Sequence, residues 1–167
     1  VEAGRSINQD DVPHDIRSRY PGRAYLDTRN IWNSLTALMG TNRPPRIPRR
    51  YEQGKILGGG SAINALMANR GAPSDYDEWD ALGATGWTWE NCLPYFRKIE
   101  SDRDFDGPRH GKEGPLAIRR ISDAQISPFV DRVMQTLDQQ GYPIRPDQNG
   151  PWQDGTFRGA VAISDAG

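Results

Sequence analysis

The feature that most restricts this chain is the run Gly54-Lys55-Ile56-Leu57-Gly58-Gly59-Gly60-Ser61-Ala62-Ile63-Asn64. Three consecutive glycines strip the Cβ atoms from a short length of backbone, which can then lie against a flat or charged ligand. The residues that follow, Ser61 to Ala68, are rich in Ala, Leu and Met and favour helix. A glycine bend feeding a helix start aims unpaired N–H groups and a positive dipole end at one spot. Such a spot suits a phosphate or an electron-rich ring. The run is not a Walker A loop, because Gly54-Lys55 leads to Ile56 rather than Ser or Thr, and it lacks the Gly-x-Gly-x-x-Gly spacing of a dinucleotide fold. Taken without its neighbours, the triplet also reads as a plain turn or a tight helix–helix approach.

Whether such a loop sits in a self-sufficient domain is a question for composition. The 167 residues are enough for one domain, but only 35% are apolar, mean hydropathy is −0.78, and 18 glycines and 13 prolines demand much loop. These values fit a piece of a larger protein. A net charge of −1, from 21 basic and 22 acidic residues, gives no electrostatic case for nucleic acid or an anionic membrane. A lone Cys92 excludes an internal disulfide, and two distant histidines form no metal motif. No apolar run approaches the ~20 residues of a membrane span and no signal-peptide pattern is present, so the expected location is cytoplasmic.

Along the chain, Ile31, Trp32, Leu35, Leu38 and Met39 recur near helical spacing after Asp27-Thr28, which predicts a short helix with a core-facing stripe. Arg43, Arg46, Arg49 and Arg50 read as solvated loop cations, and Tyr51 to Gln53 as extended chain. Ser74-Asp75-Tyr76-Asp77 predicts a helix start capped by Ser74. Its acidic run lacks the glycine and glutamate of a calcium loop, so dipole complementarity explains it better. Thr88 opens a second helix through Glu100, with Cys92, Phe96 and Ile99 on one face, Cys92 buried, and an irregular turn at Pro94. His110, in a Gly-rich loop, could serve as a general base or be purely structural. Leu116 to Arg119 alternates as a strand. Ser127 caps a helix from Pro128 to Gln140 whose Phe129, Val130, Val133, Met134 and Leu137 form a core-facing stripe, ended by Gly141. Pro143 to Gly159 is turn-rich, and Ala160 to Ile163 is a candidate strand.

From Gly54 through Asn64 to Arg70-Gly71-Ala72-Pro73, with Asp75 and Trp79 beyond, the chain closely resembles the first signature of the glucose–methanol–choline (GMC) family of flavin oxidoreductases. Val1-Glu2-Ala3-Gly4 resembles the end of that family's second strand, and Trp87 to Glu100 followed by His110-Gly111-Lys112-Glu113-Gly114-Pro115-Leu116 resembles a later segment. The resemblance implies an α/β fold, α+β for the isolated piece, that is helix- and loop-rich with few strands. It implies a partial FAD-binding domain over 1–109 and the start of a substrate domain over 110–167. It implies FAD, with Glu2 on the adenosine ribose and Gly58, Gly59, Gly60 and Ser61 along the pyrophosphate and flavin edge. Asn64 would bond near the flavin, and Ala65 and Met67 would border the ring. Family members that attach FAD covalently use a histidine just before the asparagine; Ile63 stands there, which implies noncovalent FAD. The implied reaction is hydride transfer from a small alcohol to flavin N5, with oxygen or a quinone-type acceptor reoxidising the flavin. The family's pyrophosphate-binding glycine turn and its catalytic histidine are expected outside these 167 residues, which makes His110 structural and leaves no catalytic residue in this segment. Two other readings stay open: a non-catalytic structural fragment, and an anion- or nucleotide-binding module using Gly58-Gly59-Gly60.

Overall fold

The computed structural model describes all residues except 9, 19, 21, 39–46 and 164–167. Met39, Arg43, Arg46 and the end of the chain from Ser164 therefore lie outside the described residues. The chain divides into two compact units, Val1–Leu66 and a second beginning at Met67.

The first unit is loop-rich, as its glycines and prolines require. Two short helices, α1 (His14–Arg17) and α2 (Gly22–Leu26), precede a small antiparallel pair, β1 (Thr36–Leu38) and β2 (Pro48–Arg50), in which Ala37 faces Arg49. Its core gathers Ala24, Ile31, Ile56 and Ile63, with Ile7, Ile16 and Ala62 against them. A polar pin runs through this core. Fully buried Asn30 donates from Nδ2 to Asp15 Oδ2 and to the Ala24 carbonyl, both at 2.9 Å, while Arg5 holds the same Asp15 oxygen at 2.6 Å. Its donors are matched, but its Oδ1 is buried without a partner, so burial of that amide carries a desolvation cost.

The helix expected over 31–39 does not form. Asp27 does cap a start, taking the Arg29 N–H at 2.9 Å, but the result is one 3-10 turn, Thr28–Asn30. The chain then runs extended: Trp32 N–H donates to Gln53 and Tyr51 N–H to Leu35. Among the described residues of the supposed stripe Ile31 alone is buried, whereas Leu35 and Leu38 are exposed. A ladder partner supplied by residues 48–54 satisfies the backbone, and near-helical spacing over nine residues is too short a signal to outweigh it. Tyr51 to Gln53 is extended, as expected.

The second unit contains the more regular elements: α3 (Pro73–Ala81), α4 (Trp89–Ile99), β3 (Glu100–Asp102), β4 (Leu116–Arg120), α5 (Pro128–Gln139), β5 (Ile144–Arg145), β6 (Thr156–Phe157) and β7 (Ala160–Ala162). β3 pairs parallel to β4, and β4 antiparallel to β7, with Ile118 opposite Ala162; β5 and β6 form a separate parallel pair. The strands expected at Leu116 and Ala160 are present.

α3 corrects one expectation. Pro73 takes the first position and Ala72 precedes it as cap, so Ser74 lies inside the helix. The acidic residues act downstream instead: Asp77 accepts the Trp89 N–H at 3.0 Å and Asp80 the Gly86 N–H at 2.6 Å, tying α3 to the start of α4. Thr88 caps α4 as expected, its Oγ1 accepting the Asn91 N–H at 3.3 Å, and the helix runs unbroken through Pro94. It stops at Ile99, one residue early, because Glu100 turns into β3. Cys92 is half-buried rather than buried. Tyr76 sits at the centre of the α3–α4 packing, with Trp79, Trp89 and Phe96 rings 5.2, 5.6 and 5.8 Å away.

α5 has the expected signals. Ser127 Oγ accepts the Val130 N–H at 3.2 Å, Pro128 is at the first position, and Gly141 at φ 94° follows the end. Its apolar stripe is not core-facing, however. Met134 is buried, but Phe129, Val130 and Val133 are exposed, Phe129 at 77%. Amphipathic spacing fixes which side chains share a face; it cannot supply the surface that covers them.

Candidate functional site

The glycine turn is shaped by backbone first. Gly58 at φ 93° and Gly59 at φ 58° occupy the left-handed region, where a Cβ costs energy. Gly59 N–H donates to Ile56 at 2.7 Å, and Ser61 Oγ donates to the Gly58 carbonyl at 2.7 Å, so the turn is closed internally. A Cβ built on Gly59 or Gly60 would meet nothing within 4 Å, so both present bare backbone to open space.

The helix expected after the turn is absent. Gly59–Ala62 is one 3-10 turn, Ile63 leaves it, and Asn64 Oδ1 captures the Leu66 N–H at 2.8 Å. Leu66 then takes φ 59°, outside helical space. The asparagine side chain offers the backbone a competing partner, and Ile63 is drawn into the core at 6% exposure. Helix propensity across the eight residues from Ser61 to Ala68 is too weak to resist both. No helix dipole therefore aims at an anion here; what remains is the uncovered backbone face of Gly59 and Gly60.

Gly58, Gly60, Ser61, Asn64 and Ala65 are exposed, and Gly59 is half-buried. The segment following Glu2 runs beside the start of this turn, since Arg5 bridges Ile56 in parallel and its carbonyl accepts the Leu57 N–H at 3.0 Å. Glu2 itself is exposed, and its Oε1 accepts the Gly4 N–H at 2.6 Å. Met67 belongs to the second unit, where it bridges Val161 and its methyl group lies close to Gly159.

The second unit holds a constellation that no sequence pattern announced. All of β3 is buried, although it reads Glu100-Ser101-Asp102. Between its carboxylates and Asp147 lies the imidazole of His110: Nε2 is 2.9 Å from Asp147 Oδ2, and Nδ1 is 3.0 Å from Asp102 Oδ2 and 3.5 Å from Glu100 Oε1. The Nδ1 contacts are ion contacts whose angles fall short of hydrogen bonds. Arg120 reaches Asp102 at 2.9 Å and Asp147 at 2.5 Å, and Arg70 reaches Glu100 at 2.6 Å. Glu100 also takes the Gly111 N–H at 2.7 Å, where a larger residue would overlap the Arg97 carbonyl.

These groups set each other's protonation. The hydrogen bond that His110 makes to Asp147, then the close contact with the Glu100 carboxylate, raises the imidazole to about 9 against the opposing effect of burial. Burial works against ionised Asp147, but bonds from His110 and Arg120 outweigh it and hold the carboxyl at about 2. Glu100 is likewise lowered despite its burial, through His110, Arg70 and the Gly111 N–H. Glu100, Asp102 and His110 offer ligand-type atoms within 4.8 Å of one another, but both carboxylates already carry guanidinium partners. The His110 ring is thus enclosed, with a carboxylate against each of its nitrogens. Nothing local marks the partners of His110: Asp147 stands in a stretch that reads as a surface turn, and Glu100 at what reads as a helix end.

The GMC oxidoreductase family model matches residues 35–161, and the chain belongs to that family. It is 40% identical over 98% of its length to the 5-(hydroxymethyl)furfural oxidase of Methylovorus sp. (strain MP688), covering 32% of that protein. Among solved structures it resembles an FAD-dependent oxidoreductase from Chaetomium thermophilum, at TM-score 0.79 and 26% identity, over 99% of this chain and 29% of that one. It also resembles pyridoxine 4-oxidase from Mesorbium loti, at TM-score 0.80 and 25% identity, over 98% and 31%. The chain spans about a third of the length of these relatives. The α/β class with few strands agrees with these likenesses, and no helix among the described residues is long and apolar enough to cross a membrane.

Proposed function

We propose that this chain is the part of a GMC-type alcohol oxidoreductase that holds one side of a noncovalent FAD. The observation that carries the reading is the bare backbone of Gly59 and Gly60, open to a ligand beside a turn that Gly58 and Ser61 close internally. A planar ring or a pyrophosphate can approach such a surface more nearly than any side-chain-bearing loop would allow. When bound, FAD supplies the acceptor for a hydride from the carbinol carbon of a small alcohol.

Each residue of this chain then has a bounded task. Gly58, Gly59, Gly60 and Ser61 would line the cofactor, Asn64 would bond near the flavin, Ala65 and Met67 would border the ring, and Glu2 would take the ribose hydroxyls. Ile63 supports noncovalent binding in two ways: it has no nucleophilic nitrogen, and it is buried among Ala24, Ile31 and Ile56. The proton of the substrate hydroxyl goes to a base other than the two histidines here. His110 is enclosed by carboxylates, and exposed His14 lies beside Arg23 at 3.5 Å. By role, 1–109 would then be the partial cofactor domain and 110–167 the start of the substrate domain, and the electron acceptor of the whole enzyme would be oxygen or a quinone.

The test is acid precipitation of the full-length enzyme, with flavin absorbance read in pellet and supernatant. We expect the yellow colour in the supernatant; colour retained by the pellet would show a covalent link and overturn the noncovalent assignment. In the same enzyme, Asn64→Leu should weaken flavin retention by about 1–3 kcal/mol, the cost of an unpaired polar ring edge. Unchanged retention and reduction rate would remove Asn64 from the site.

A further inference from the structure

The buried cluster around His110 has a charge count that does not close unless the imidazole carries a proton. Glu100, Asp102 and Asp147 bring three negative charges, and Arg70 and Arg120 bring two positive ones. A neutral His110 would leave one buried negative charge without a counterion, which is costly in a poorly solvated site. A divalent cation at the same place would overshoot the balance and would have to displace the guanidiniums from Glu100 and Asp102. A proton fits both the number and the geometry.

Other charged groups nearby, Arg103 and Arg119 among them, are exposed at the rim of the cluster. From α4, Arg97 Nε reaches the His110 carbonyl at 3.3 Å from an exposed position. Lys112 Nζ is 2.7 Å from the Asp102 carbonyl and pairs with exposed Asp106 at 2.8 Å, so those two cancel at the rim. Exposed Asp104 accepts the Arg120 backbone N–H at 2.5 Å. Phe105 covers the cluster, with its ring 5.9 Å from that of His110 and 4.9 Å from the Arg120 guanidinium.

The cluster also joins distant pieces of chain. Asp147 comes from the loop after β5, Arg120 from the end of β4, Glu100 and Asp102 from β3, and Arg70 from the segment before α3. Asn149 extends the join, its Nδ2 donating to the Ala68 carbonyl at 2.9 Å and its Oδ1 accepting the Arg70 N–H at 3.2 Å. We propose that His110 is a buried imidazolium serving as the structural cation of this network, and that the segments it joins come apart when the proton is lost at alkaline pH.

The sign follows from linkage. A group whose folded pKa lies above its unfolded value stabilises fully below the unfolded value and ceases to do so above the folded one. For His110 the window runs from about 6.5 to about 9. Across it the folding equilibrium constant of the second unit should fall by about two orders of magnitude.

The decisive measurement is an imidazole nitrogen NMR titration of the full-length enzyme, with His110→Gln identifying the His110 signals by their loss. We expect both His110 ring nitrogens protonated at pH 7.5, with a midpoint near 9. Asp147→Asn should move that midpoint down, and His110→Gln should abolish the alkaline fall in hydrogen-exchange protection of β3, β4 and the 146–150 loop. A purely packing role would leave the pH profile unmoved. If Asp147→Asn does not fold, the wild-type titration still decides. A neutral imidazole at pH 7.5 overturns the proposal, as does stoichiometric Zn²⁺ binding that displaces the His110 proton.

Discussion

At the residue scale the glycines of the turn are not equivalent, and their differences separate folding from ligand binding. Gly58 needs its left-handed φ, and a Cβ there would also lie 3.4 Å from the Ala62 Cβ. Gly58→Ala should therefore cost about 1–2 kcal/mol of stability, read as a lowered denaturation midpoint. Gly60 has no positive φ and nothing near its Cβ position. Gly60→Ala should leave stability within about 0.5 kcal/mol yet reduce flavin retention in the full-length enzyme. If both properties stay unchanged, the open glycine face does not meet the cofactor. Arg70 is a different case: at 5% side-chain exposure it is the guanidinium partner of buried Glu100. Arg70→Met should destabilise by about 3–5 kcal/mol, because it strands a buried carboxylate rather than merely removing an attraction. Urea denaturation of the variant beside the wild type at neutral pH measures this.

Elements here form where local chemistry and a packing partner agree. α5 has a side-chain cap, a proline at its first position and a glycine past its end, and it appears where its sequence places it. Ser127→Ala should cost about 1 kcal/mol through the lost bond to Val130, measurable as a shift in helix melting by circular dichroism. The segment after the glycine triplet has good helix formers and no helix, since Asn64, Leu66 and the burial of Ile63 set its path. Residues 31–38 follow the same logic, with a ladder partner prevailing over an apparent period. Propensity decided the outcome only where nothing tertiary opposed it.

At the scale of the molecule, apolar surface is abundant outside the small core. Phe129, Val130 and Val133 on α5 and Trp87, Tyr95 and Ile99 around α4 are all exposed. Together with 35% apolar composition, this predicts a broad, weakly cooperative thermal transition and binding of a hydrophobic dye by the isolated chain. Calorimetry showing one sharp two-state transition of a monomer would contradict that expectation. The sequence by itself determined the glycine turn, the family, the caps of α4 and α5 and the sparse strands, because each depends on residues adjacent in the chain. Gly58 and Gly59 adopt left-handed backbone for reasons written in their own lack of side chains. Only the tertiary structure decided that Glu100, Asp102, His110, Arg120 and Asp147 share one buried site, and that α5 leaves its apolar stripe bare. Those facts depend on which distant segments meet, and a charge in sequence carries no mark of whether its counterion will arrive from forty residues away.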